Sequence, residues 1–160
     1  MSAPDDAPSS ALEAHMREDL REASRARDQV RMDTLRLALG AFHHEEVART
    51  DAAHRQHRQP LTEQDRLSLL EKQIKQRQEA AEVYRKAARS ELAEKEEREA
   101  AILQAYLPAR MTDEELRAVV AALIAEHGKD FRAVMPLASR ETRGRADGRR
   151  VQEIVRELTS

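Results

Sequence analysis

Ile102-Leu103-Gln104-Ala105-Tyr106-Leu107-Pro108-Ala109-Arg110-Met111-Thr112-Asp113-Glu114-Glu115-Leu116 is the stretch in which one helical unit gives way to another. Pro108 lacks an amide donor, and its ring disfavours helical geometry at the residue before it. The helix that delivers Tyr106 is therefore predicted to stop near Leu107. Thr112 and Glu115 have the spacing of a capping box, in which the hydroxyl takes the Glu115 amide and the carboxylate returns to the Thr112 amide. A new helix is expected to begin there, with residues 108–111 as the hinge.

Composition points the same way on both sides of that hinge. The chain has 160 residues, 36% of them charged, with four glycines, two tyrosines, two phenylalanines and no tryptophan. The remainder is mostly good helix formers, so an all-α fold is expected. No cysteine is present, which excludes disulfides, thiolate metal ligands and thiol nucleophiles. Residues 1–10 contain Asp5, Asp6 and two prolines, unlike the basic and apolar parts of a signal peptide, and are expected to be disordered. No apolar run approaches the roughly 20 residues that span a bilayer, so no membrane association and a cytoplasmic location are expected.

Before the hinge, apolar residues recur at helical spacing in four segments, predicting an N-terminal helical domain over 11–107. Ser10 to Glu13 offers a capping box for the first helix, with Leu12, Met16, Leu20 and Ala23 inward. Asp28 caps the second, which carries Met32, Leu35, Leu39 and Phe42. Thr50 to Pro60 is polar, aperiodic and expected to be a surface loop. Thr62 to Asp65 opens a third helix with Leu67, Leu70, Ile74, Ala81 and Tyr84 inward, running to about Ala88. Ser90 is expected to cap a fourth carrying Leu92, Leu103 and Tyr106, with Glu94 to Glu99 facing water. Short connections make these long antiparallel hairpins.

Residues 112–160 are expected to form a C-terminal three-helix domain. Leu116, Val119, Val120, Leu123 and Ile124 give the first helix an apolar face, and Gly128 ends it. Pro136 interrupts the second pattern, so that helix either kinks at Pro136 or begins there. Asp147 caps the last helix, lined by Val151, Ile154, Val155 and Leu158.

Several short motifs, in order and spacing, resemble the YqeY-like family, relatives of the tail domain of the B subunit of the tRNA-dependent Asp/Glu amidotransferase (the GatB/YqeY domain). They are Asp19-Leu20, Asp28, Arg31-Met32, Leu35-Arg36, Ile74-Lys75-Gln76-Arg77, Arg89-Ser90-Glu91-Leu92, Glu99, Ile102-Leu103, Tyr106-Leu107-Pro108, Gly144-Arg145-Ala146-Asp147-Gly148 and Val151. The resemblance spans about Asp19 to Leu158. It implies an all-helical unit joined to a three-helix unit, a tRNA-contacting role, and a link to glutamine-dependent carbon-nitrogen ligase systems. Arg132, Pro136 and Ala88 stand where that family usually has glycine.

The candidate binding site is Arg140 to Arg150. Net charge is -2, yet this segment holds five arginines, Arg140, Arg143, Arg145, Arg149 and Arg150, against Glu141 and Asp147. Gly144 suits a left-handed closing residue, while Asp147 and Gly148 open the last helix, whose free amides favour anions. A phosphate could sit there. In the alternative, the glycines and aspartate only shape the turn and the arginines are solvated or paired with Glu141, Glu153 and other acids. If RNA binds, backbone and shape carry the contact, because four scattered aromatics build no stacking platform.

Other groupings offer less. His43, His44, His54 and His57 with Glu45 and Glu46 lack the four-residue spacing that places two metal ligands on one helix face, so no metal or other cofactor is expected. Lys75 and Arg77 have acids within a turn and read as a solvated ion-pair face, and Tyr106-Leu107 as hinge packing. No catalytic residue is assigned, since nothing supplies an activated nucleophile or a phosphate-cradling loop. The expected partners are tRNA or a tRNA-handling enzyme. The rival readings are a protein-interaction scaffold on the long hairpin and a component active only within an enzyme complex.

Overall fold

A computed structural model describes residues 10–160. Among them there are seven α-helices and no strand: α1 (Ala11–Arg25), α2 (Gln29–Ala48), α3 (Glu63–Lys86), α4 (Ser90–Gln104), α5 (Asp113–His127), α6 (Phe131–Glu141) and α7 (Gly148–Thr159). None is long and apolar enough to cross a membrane. The expected disordered segment lies outside the described residues except for Ser10, whose hydroxyl accepts the Glu13 amide and caps α1. The chain divides between Leu107 and Pro108 into two compact units.

In the first unit, α1 packs on α2, α3 packs along α4, and α2 touches both members of the second pair. Met16, Leu35, Phe42, Leu70 and Leu103 are its fully enclosed large side chains. Two further predicted start signals have the expected atoms in place. Asp28 accepts the Arg31 amide at 3.1 Å. At Thr62 the capping box is reciprocal, with Asp65 N to Thr62 Oγ1 at 3.1 Å and Thr62 N to Asp65 Oδ2 at 3.0 Å. α3 ends at Lys86, two residues before the predicted end. Ala88 N then donates to Arg85 O and Arg89 N to Tyr84 O, a Schellman closure with Ala88 at φ 56°.

α4 departs from the sequence reading. Ser90 is its first helical residue, and its N-cap is Arg89, without a side-chain hydrogen bond. The inward face is Ala93, Ala100 and Leu103, whereas Leu92 is 39% exposed. Glu99, expected in water, is only 8% exposed and pairs with Arg77 of α3. Arg77 likewise is not on a solvated face: it is largely enclosed and also lies 3.6 Å from Glu96. Small inward residues bring α4 close to α3, and that closeness pulls charges into cross-helix pairs that a reading of single-helix periodicity assigns to solvent.

The second unit encloses Leu116, Val120, Val134, Val151, Ile154 and Val155. Thr112 and Glu115 form the predicted capping box, with bonds of 3.2 and 2.8 Å, and Gly128 takes φ 82° at the end of α5. Pro136 lies inside α6, whose N-cap is Asp130, so it is not the first residue of that helix. The position is exposed. The carbonyl that loses its amide partner there belongs to Arg132, which is exposed too, and an exposed site lowers the cost of a helical proline.

Candidate nucleic-acid interface

Arg140 lies in the last turn of α6, Arg143 and Arg145 in the connection, and Arg149 and Arg150 in the first turn of α7. The connection is fixed by its backbone. Thr142 is buried, its hydroxyl donates to Ala138 O at 2.7 Å, and its carbonyl accepts the amides of Arg145 and Ala146. Gly144 adopts φ 76°, the left-handed geometry for which a residue without Cβ is suited. Met111 N donates to Arg145 O at 2.8 Å, tying the turn to the segment before α5. Arg140, Arg143, Arg145 and Arg149 are exposed on this fixed frame, and none forms a salt bridge to a described carboxylate.

Arg150 is different. Its guanidinium donates to both carboxylate oxygens of Asp113, at 3.1 and 2.5 Å, and to Glu153 at 2.8 Å. Hydrogen bonding to Asp113 and then to Glu153 raises its pKa, and the same contact holds the Asp113 carboxyl below its ordinary value. Arg150 thus braces the start of α5 against α7. The start of α7 is also already occupied: Asp147 Oδ1 accepts the amides of Arg149 at 2.8 Å and Arg150 at 3.3 Å. A carboxylate of the chain stands where the sequence reading put a phosphate, and Gly148 serves as the first helical residue.

Two polar clusters in the first unit escaped the sequence reading. In one, the Tyr106 hydroxyl donates to Asp19, which also has Arg31 at 3.6 Å and His15 at 3.5 Å. The His15 and Tyr106 rings meet edge to face at 5.4 Å. Burial and then the Asp19 contact raise the Tyr106 pKa, so the phenol is a fixed hydrogen-bond donor that pins the end of α4 to α1. In the other, Arg49 is 5% exposed at the end of α2 and reaches Glu45 at 2.9 Å, Gln56 at 2.8 Å, the Pro60 carbonyl at 3.1 Å and Asp65 at 3.2 Å. That organises the predicted surface loop from within. Among the described residues, no three histidine or carboxylate side chains converge to hold a metal.

The motifs behind the resemblance therefore meet in space: Asp19 with Arg31 and Tyr106, and Arg77 with Glu99. A model of the family described as Yqey-like protein matches residues 13–159. The chain belongs to that family. An uncharacterised protein of Schizosaccharomyces pombe is similar to this Yqey-like chain, 33% identical over 97 residues, which is 61% of this chain and 72% of the yeast protein.

Proposed function

We propose that this Yqey-like chain is a cytoplasmic accessory module that contacts the RNA backbone of a tRNA through its second unit. The reading rests on the four exposed, unpaired arginines, Arg140, Arg143, Arg145 and Arg149, held on a turn with a fixed backbone. Among the described residues arginines without a salt bridge occur elsewhere singly or in twos, as at Arg55 and Arg58, whereas here four fall within ten residues. Guanidinium groups of this kind suit phosphate oxygens, which they meet as paired, charge-assisted donors. Positioning through phosphates needs no base readout. Resemblance to the amidotransferase tail supports tRNA as the RNA. In this reading, carbon-nitrogen ligase chemistry is assigned to a partner enzyme rather than to this chain.

Binding of bulk tRNA to the native chain, to a quadruple variant with Arg140, Arg143, Arg145 and Arg149 changed to Ala, and to Arg150→Ala tests the reading. The quadruple variant is expected to lose most affinity while keeping its helical content. Arg150→Ala is expected to bind nearly as the native chain does, because its guanidinium is committed to Asp113 and Glu153. Equal binding by the native chain and the quadruple variant would overturn the proposal. Capture of protein partners that survives nuclease treatment, with no tRNA affinity, would favour a protein-interaction scaffold.

A further inference from the structure

On the face of α2 turned away from Leu35, Ala38 and Phe42 run Val30, which is half-buried, and Asp33, Leu37, Gly40, His44 and Val47, which are exposed. They are separated by three, four, three, four and three residues, the spacing of a two-helix seam. Leu37 is 63% exposed and Val47 52% exposed. The stripe lines two open grooves that share Arg36 and Leu37, one walled on its far side by Gln73, Gln76 and Arg77 of α3 and the other by Lys95 and Glu99 of α4. Gly40 sits in mid-helix, where glycine costs about 1 kcal/mol relative to alanine. Among the described residues nothing lies within 4 Å of where its side chain would begin, so no packing among them explains it.

We infer that a second copy of this chain docks on the stripe, α2 against α2, antiparallel about a two-fold axis between Leu37 and Gly40. That register sets Val30 opposite Val47 of the partner subunit and Leu37 over Gly40 of the partner subunit, each twice by symmetry. It also sets Asp33 opposite His44 of the partner subunit, an imidazole N–H facing a carboxylate. Asp33 meanwhile keeps its contacts to Gln29 and Arg36 within its own helix. The absent side chain at Gly40 leaves the hole that Leu37 fills. A parallel pair would instead oppose Asp33 to Asp33 and His44 to His44, which selects against it. The matched seam spans roughly 26 Å at 1.5 Å per residue.

Sedimentation of the full chain is expected to give twice its 18.2 kDa mass, and Leu37→Glu is expected to give the monomer with unchanged helical content. The chain has no cysteine, so engineered pairs report register without background. Mild oxidation of a Val30→Cys, Val47→Cys double variant is expected to yield a covalent dimer, and each single variant to yield little. A native chain that stays monomeric would overturn the inference. So would a dimer that survives Leu37→Glu, or single-cysteine variants that cross-link as well as the double one.

Discussion

The guanidinium of Arg49 is enclosed by groups from the end of α2, the following loop and the start of α3, and each of its nitrogens has a partner there. Removing it leaves the Gln59 and Pro60 carbonyls and the half-buried Glu45 and Asp65 without their cation, a change that costs about 1–3 kcal/mol. Arg49→Ala is therefore expected to lower the urea midpoint of unfolding by a large fraction, and Arg49→Lys to rescue little of it, because an ammonium cannot reproduce the fork. Asp65 carries the pH dependence of the same cluster. Burial alone would raise its pKa, but the Thr62 amide and hydroxyl and then Arg49 hold it below the ordinary value. Its contribution is thus complete above the ordinary carboxylate range, about pH 4, and is lost as pH falls through the lowered folded value. Stability measured down an acid series should fall in the native chain and fall less steeply in Asp65→Asn. Equal slopes would remove Asp65 from the account. Nothing in the sequence marked Arg49, because one arginine after an apolar stripe reads as surface until the loop is seen to fold over it.

Helix ends were legible where one side chain suffices and illegible where two helices decide. Asp28, Thr62, Thr112 and Asp147 each cap the helix they precede, as short-range chemistry dictates. Leu92, Glu99 and Arg77 were misplaced because their environment is set by the neighbouring helix, and periodicity within one segment does not report it. Ala88 is legible in a different way. It stands where the resemblance has glycine, and it takes φ 56° in the closure of α3. A left-handed residue with a Cβ costs roughly 1–2 kcal/mol, part of which glycine returns as unfolded-state entropy. Ala88→Gly is expected to stabilise the first unit by about 0.5–1 kcal/mol, read as a higher melting temperature. A lower one would show that the closure carries no strain.

At the scale of the molecule, the seven helices found among the described residues match the sequence expectation, because hydrophobic spacing acts locally. The proposed binding surface was legible only as charge. Which arginines stay free depends on where Asp113, Glu153 and Asp147 fall in the folded second unit, and that took Arg150 and the α7 terminus out of the proposed anion site. Salt dependence tests the remaining cluster most directly. Each phosphate neutralised contributes about 0.7–0.9 to the slope of log affinity against log salt. The measurement is tRNA affinity across a salt series for the native chain and for the variant lacking Arg140, Arg143, Arg145 and Arg149. The account predicts a native slope of roughly 3 in magnitude for four contacts, collapsing in the variant; the same slope in both would contradict it.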